Sequence, residues 1–479
     1  MTGLQQSVIT ADSPRTAEEM TAVEAHLAAK GGAWTATPPN YTNFDRDQML
    51  QRLDDVAAAI AIETDADGVD IKRAWLASQD FVNASFDFFQ GRREIGRPVS
   101  RAFCVPMRST RDDEANASES TPFFPLYDPV RFAVSSQVRM RGIYGVPPTV
   151  LDTYTKSDHD NETGALVLVP MYSDMLKDIW PDRADLAAAA RMADVAGVVL
   201  RASAEFAHLR LGARVLGLGA ILPHPTITNF GRKLHAIDGM QNLVTTTGHG
   251  GTVYMIVATV RKILSETSIQ SRGKIGVIGG AGSIGWSTTV AALEMIDGHE
   301  IYTYDKRIAD LKTQASLSTR IKVAPTAADV LRDANIIVAA VTGKIDLAAD
   351  EFAGLDLNGK VIIDDSQPGC FDKEQVEARG GKLVWVVGED ASDRQFITRD
   401  GLHTDGVPYN YGDNAGLYGR ASEFGCGQEA AVIAAHRAYD RAVTGPVTPQ
   451  NVREIGELFE DSGVRVAPFQ AYGQPVRLG

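Results

Sequence analysis

KIGVIGGAGSIGWSTTVAALEMIDGHEIYTYD, residues 274–305, reads as a strand, a glycine turn, a helix and a second strand. Ile275 to Ile278 is a short apolar run of the kind that lies in a strand buried on both faces. Gly279, Gly280, Gly282 and Gly285 follow it and satisfy G-x-G-x-x-G from Gly280. A turn without Cβ atoms lets backbone N–H groups approach a pyrophosphate, and the next helix aims its positive end at the same anion. The spacing predicts a helix over 283–295 and a strand over 301–304 that ends at Asp305, twenty positions beyond Gly285. A dinucleotide site usually has its ribose-binding carboxylate there.

Beyond Asp305 the alternation continues. Helices are expected over 307–317 and 327–334, and strands over 321–324, 336–341, 361–365 and 383–387. Such alternation implies a right-handed parallel sheet, with ligands bound beyond the carboxyl ends of its strands. The residues expected to hold a dinucleotide are therefore Gly279, Gly280, Ala281, Gly282, Ser283, Ile284, Gly285, Asp305, Lys306, Arg307, Val341, Thr342 and Gly343. Lys344 and Asp365 to Pro368 also leave strand ends and should line the cleft.

Upstream, VTTTGHGGTVYMIVATVRKIL (244–264) places glycines at 248, 250 and 251 before an apolar helix expected from Thr252 to Ser265. His249 stands where it could donate a hydrogen bond to a substrate, or make a structural polar contact. Ala165 to Val169 and Ile221-Leu222 read as strands, and 186–209 as a buried alanine-rich helix. Helices are also expected over 16–30 and 45–89, and a polar loop over 112–121. Between them and the first strand, QGRREIGRPVSRAFCVPMRSTR sets Arg92, Arg93, Arg97, Arg101, Arg108 and Arg111 against the single acid Glu94. The cluster suits a phosphate or an acidic partner, and equally a solvated face paired with acids elsewhere.

The 479 residues allow two or three domains, and 44% apolar with 23% charged residues is ordinary for a globular chain. No apolar run reaches membrane-spanning length, and the N-terminus lacks a signal-peptide pattern. The expected location is the cytoplasm. A net charge of −14 argues against nucleic-acid binding. Cys104, Cys370 and Cys426 match no zinc spacing, so no metal site is expected, and an odd, low count fits reduced thiols.

Cys426 lies in GRASEFGCGQEAAVIAAHRAYDRAV, just before a helix expected over 430–443. The positive end of a helix favours a thiolate, and the flanking Gly425 and Gly427 leave the sulfur accessible. A thiolate beside a reduced nicotinamide can attack a thioester, and hydride transfer to the resulting acyl group releases an aldehyde. Cys370 is the rival nucleophile, and Cys104 reads as packing. An alcohol or amino-acid dehydrogenase using Lys344, Asp365 or His249 as acid/base, or a nucleotide-binding regulatory module, fits the same pattern without a nucleophile.

The pieces GALVLVPMYSDML, TTTGHGGTVY, IGGAGSIG, IIVAAVTG, VIIDDSQP and CGQEA followed by REIGELFEDSGV stand in an order that resembles the long-chain acyl-[acyl-carrier-protein] reductases of cyanobacteria. The resemblance runs from about Gly164 to Val466. It implies reduction of an acyl thioester, carried by acyl-carrier protein or coenzyme A, to an aldehyde through an acylated Cys426, with Glu429 and His249 beside it. The family's TTG stretch continues with an asparagine and then a histidine; here His249 comes earlier and Gly251 holds the later position. Family members use NADPH and carry a basic residue after the second strand. Asp305 stands there in this chain, and a carboxylate repels a 2′-phosphate, so of NAD(P)H the expected form is NADH.

The expected fold class is α/β: a Rossmann-type doubly wound parallel sheet, an α/β substrate domain and a largely helical N-terminal extension. The expected domains are 1–130 (extension), 131–265 (substrate), 266–420 (nucleotide) and 421–479 (helices carrying the cysteine and returning to the substrate domain).

Overall fold

The computed structural model describes residues 83–107, 147–154, 163–172, 196–269, 273–390, 422–471 and 474–478, apart from positions 84, 97, 198, 236, 238, 367 and 368. The helices expected over 16–30 and 45–82, the loop over 112–121, and Arg97, Arg108, Arg111, Gln367 and Pro368 lie outside these residues. The described residues form two compact units, one spanning 83–247 and the other 248–390 with 422–478.

The first unit is built on a five-stranded sheet of β1 (Val99–Met107), β2 (Thr149–Tyr154), β3 (Thr163–Tyr172), β4 (Val215–Leu218) and β5 (Val244–Thr246), in the order β2-β3-β1-β4-β5. Only β2 runs antiparallel to its neighbour. β1 is central, so Cys104 is buried, as the packing reading of AFCVP requires. Arg101, on the same strand, is 5% exposed and is no docking residue. Arg92 is held by Asp87 at 2.6 Å, and Arg93 stacks over Phe88 at 4.7 Å. The strand expected at Ile221-Leu222 lies instead at Val215–Leu218. The Gly219 N–H closes the ladder on the Cys104 carbonyl at 2.8 Å, and Ala220 then turns the chain with φ 50°.

The second unit carries a six-stranded, wholly parallel sheet: β6 (Lys274–Ile278), β7 (Glu300–Tyr304), β8 (Ile321–Val323), β9 (Ile336–Ala339), β10 (Val361–Asp364) and β11 (Lys382–Trp385), in the order β11-β10-β9-β6-β7-β8. Counting from β6, this is the 3-2-1-4-5-6 order of a doubly wound dinucleotide fold, whose crevice opens where the order reverses, between β6 and β9. The fold class is thus the expected one for this unit. Both faces are covered, and β9 and β10 are buried throughout, so their sequences are apolar runs, IIVA and VII before Asp364, rather than an alternation.

Its helices are α1 (His249–Glu266), α2 (Ser283–Met295), α3 (Ile308–Ala315), α4 (Ala327–Asp333), α5 (Lys373–Ala378), α6 (Gly425–His436) and α7 (Pro449–Asp461). Three of them are capped by a side chain at the start. Thr326 caps α4 by accepting the Asp329 N–H, Asp372 caps α5, and Thr448 forms a capping box with Asn451 before Pro449; each cap contributes about 1 kcal/mol. One face of the sheet packs on α4 and α5: Ile337, Ala339, Ile362, Leu383 and Trp385 join Val330, Leu331 and Val376 in a single core. Truncating a residue as buried as Ile337 to Ala would cost roughly 2–5 kcal/mol.

α1 buries Val253, Ile256, Val257, Val260 and Ile263 and packs against α2, α6 and α7. It belongs with the nucleotide sheet, so the unit boundary falls at 247/248 rather than 265/266. The C-terminal helices join the same unit instead of returning to the first one. β12 (Gly388–Asp390) fastens them, pairing antiparallel with β13 (Ser422–Glu423) on one side and β14 (Val464–Val466) on the other.

Candidate active site

The glycine turn follows β6 at the reversal point. Gly279 has φ 93°, and a Cβ there would collide with the Ala340 carbonyl oxygen just beyond β9. Only glycine fits so close to the neighbouring strand. The Gly279 and Gly280 N–H groups both donate to the Tyr304 carbonyl, at 2.8 and 3.0 Å, and hold the turn against β7. Gly282 caps α2 without any side-chain acceptor. Among the described residues the N–H groups of Ser283, Ile284 and Gly285 therefore have no hydrogen-bond acceptor, while Trp286 resumes the helix ladder. Three orphan donors at the positive end of a thirteen-residue helix fit a pyrophosphate.

Asp305 follows β7 with its side chain 12% exposed. One carboxylate oxygen accepts the Ala281 N–H at 3.0 Å and the other the Arg307 N–H at 2.8 Å. Each retains a lone pair for a ribose hydroxyl. Arg307 donates to the Ala281 carbonyl at 2.6 Å, tying the segment after β7 to the glycine turn, and Lys306 is exposed beside it. Val341, half-buried, and Thr342, Gly343 and Lys344, all or partly exposed, follow β9 on the other side of the reversal point.

The start of α1 meets the start of α6. Gly248 has φ 73°, and a Cβ on it would stand 2.5 Å from Cys426 Cβ. Two residues further on, the Gly250 Cβ position lies 3.0 Å from Glu429 Oε2, and the Gly251 N–H donates to that oxygen at 2.6 Å. Glu429 is fully buried and joins the two helix starts. Cys426 is the second residue of α6 and half-exposed. The helix begins at Gly425, five residues before the expected Ala430, and ends at His436 where Arg437 turns left-handed with φ 53°. The thiol thus lies inside the first turn, where the positive helix end favours thiolate.

His249 connects this pair to the nucleotide turn, its Nδ1 lying 3.4 Å from Ser283 Oγ at the start of α2. Burial pulls its pKa down to about 4, so the imidazole is neutral at neutral pH and acts as a hydrogen-bonding group. Cys426 and Glu429 on α6 and His249, distant from them in sequence, thus gather beside the glycine turn within one unit.

The other two thiols are poor nucleophiles. Burial pushes Cys104 up to about 12. Cys370 is buried, its thiol donates to Asp364 at 3.3 Å, and burial and the Asp364 carboxyl together raise its pKa well above the ordinary value. Asp364 itself accepts the N–H groups of Ser366, Cys370 and Phe371 at 2.9, 2.7 and 3.1 Å, which makes it the clasp of the turn after β10. Sequence reasoning missed this clasp. The available signal was a paired Asp364-Asp365 closing an otherwise apolar strand. Among the described residues no three His, Cys, Asp or Glu side chains gather as a metal site, and no helix is long and apolar enough to cross a membrane.

No protein-family model and no curated protein matches the chain. Solved structures show likenesses of low identity. The quinate dehydrogenase of Corynebacterium glutamicum in complex with NAD is 12% identical over 76% of this chain and all of its own, with a TM-score of 0.32. The L-tryptophan dehydrogenase of Nostoc punctiforme is 11% identical over 76% of this chain and 89% of its own, at 0.29. The dipicolinate synthase A chain of Bacillus subtilis is 14% identical over 36% of this chain, which spans 55% of that protein's length, at 0.25. The doubly wound sheet stands on the chain's own strand order.

Proposed function

We propose that this chain is an NAD(P)H-dependent oxidoreductase. The observation that carries the reading is the glycine turn: at the reversal point of a 3-2-1-4-5-6 sheet, three unclaimed N–H groups open α2 and Asp305 closes β7. Ser283, Ile284 and Gly285 would hold the pyrophosphate, and Asp305 the adenosine ribose. Asp305 favours NADH, because a 2′-phosphate would meet its carboxylate. When bound, the nicotinamide supplies a hydride. The chain's part is to orient the acceptor, exclude water and deliver a proton.

Two forms of this activity differ in one residue. The simpler is a dehydrogenase acting on a carbonyl or alcohol without a covalent intermediate, which asks of the protein only a neutral hydrogen-bonding group such as His249 and a proton source. The second is reduction of an acyl thioester to an aldehyde, with acyl-carrier protein or acyl-coenzyme A as donor. It is supported by the half-exposed Cys426 inside the first turn of α6 and by the resemblance to acyl-[acyl-carrier-protein] reductases. In that form the Cys426 thiolate attacks the thioester carbon, the donor thiolate leaves, and the acyl group stays on the sulfur until hydride arrives.

Binding of NADH and NADPH, followed by fluorescence, tests the common reading; a protein that binds neither overturns it. Intact-protein mass spectrometry after incubation with an acyl-coenzyme A separates the forms. An added acyl mass that disappears in Cys426→Ala supports the thioester form, and undiminished turnover in Cys426→Ala leaves the simpler one.

A further inference from the structure

Asp365 follows β10 at the carboxyl edge of the sheet. Its N–H continues the ladder to the Ala339 carbonyl at 3.1 Å, so the strand alternation still holds there. Ile362, paired with Ile337 and Leu383, faces the core made with α4 and α5, and Asp364 shares that face by register. Asp365 therefore takes the opposite face, the one left for α1, which packs on β10. The start of α1 carries His249, which reaches Ser283 at the same carboxyl edge. Asp365 thus shares both an edge and a face with the meeting point of α1, α6 and the glycine turn.

The two neighbouring carboxyls are differently served. Asp364 accepts three N–H groups and one thiol, all of which favour its ionised form against burial. The Asp365 carboxyl accepts none among the described residues, and it is only partly covered. Burial first, and then the Asp364 charge, push its pKa well above the ordinary carboxylate range. Burial raises both carboxyls, and in such a pair the proton resides on the member whose charge has fewer hydrogen-bond donors, here Asp365. The other titratable groups at this edge among the described residues include His249 on α1, Cys426 and Glu429 on α6, Lys344 after β9, Tyr304, Asp305, Lys306 and Arg307 at the end of β7, and Asp364 and Cys370 on its own turn.

We propose that Asp365 is the acid of the reaction, the group that gives a proton to the substrate as hydride is added. This rests on the oxidoreductase reading. In a carbonyl reduction the Asp365 O–H bond breaks, its proton goes to the substrate oxygen as the hydride from NAD(P)H goes to carbon, and the product is an alcohol with NAD(P)⁺. In a thioester reduction the same proton goes to the departing thiolate, giving aldehyde, thiol and NAD(P)⁺. Solvent then returns the proton to Asp365.

The test compares wild type with Asp365→Asn, both loaded with NADH. An infrared difference spectrum at pH 7 should show a carboxylic-acid C=O band in wild type that the variant lacks; a difference confined to carboxylate bands overturns the assignment. With octanal and octanoyl-coenzyme A as probes, kcat of the variant should fall about 100-fold or more, at unchanged NADH affinity, and the alkaline limb of the wild-type kcat profile should vanish. A variant with wild-type kcat and the same alkaline limb overturns the assignment alone. Wild type that binds no nicotinamide, or oxidises NADH with neither probe, fails the oxidoreductase reading itself. Should Asp365→Asn not fold, Asp365→Glu serves: a shifted acid band and a shifted alkaline limb support the proposal, and neither moving overturns it.

Discussion

Glu429 Oε2 and the Gly251 N–H, 178 residues apart in sequence, meet at 2.6 Å in a fully buried contact. Replacing Glu429 by Ala strands a buried donor at the start of α1, and the expected loss is about 1–3 kcal/mol. The urea midpoint would report it. Glu429→Gln keeps an acceptor and should lose less. If both variants unfold at the wild-type midpoint, the contact is not holding the helices together.

Gly248 offers a more local probe of the same junction. An alanine there must adopt φ 73° and put its methyl group against Cys426. Backbone strain alone is worth roughly 1–2 kcal/mol, and the displaced thiol should change its rate of alkylation by iodoacetamide. Unaltered stability together with an unaltered alkylation rate would contradict the packing.

Removing the Asp305 carboxylate takes away the acceptor for the Ala281 and Arg307 N–H groups and for the ribose. Hydrogen bonds to a charged group contribute about 1.5–3 kcal/mol, so calorimetry on Asp305→Ala should find NADH bound at least about tenfold more weakly. Arg307 and Lys306 remain, and NADPH should lose much less. Equal losses for the two nucleotides would remove Asp305 from the recognition of the ribose.

His249 links pH to stability with a definite sign. Its pKa falls to about 4 in the folded protein from an ordinary 6.5. Between those values the unfolded chain takes up a proton that the folded one refuses, so this contribution is present above about 6.5 and is lost as pH falls toward 4. His249→Gln should flatten the dependence of the unfolding midpoint over that window. A slope equal to wild type would mean that His249 titrates alike in both states.

The sheet of the second unit was legible because burial on both faces leaves uninterrupted runs such as IIVA at 336–339, and because glycine spacing fixes where the first turn lies. Helix starts were less legible, for one reason in two places. α1 begins at His249 and α6 at Gly425, each earlier than expected, because glycines of low helix propensity open both helices. Tertiary contact overrides propensity there: Gly248, Gly250 and Gly251 lie where Cys426, Glu429 and Gly425 come too close for side chains. The Asp364-Asp365 pair marks a polar position at a strand end, but the clasp depends on where Cys370 and Phe371 return after β10, and no local period encodes that. Arg101 misled in the opposite sense, counted in a basic patch though its strand is central.

β12 has a consequence for how the molecule is made. It leaves the ribosome well before the strands that flank it, β13 and β14, and the Cys426 segment emerges about 140 residues after the glycine turn. A nascent chain halted after β11 has all six strands of the parallel sheet, yet the apolar side of α1 has no α6 or α7 to cover it. Such a chain would be a substrate for chaperones. The thiol-bearing helix is then added late, together with α7, and closing the core and completing the site are one event.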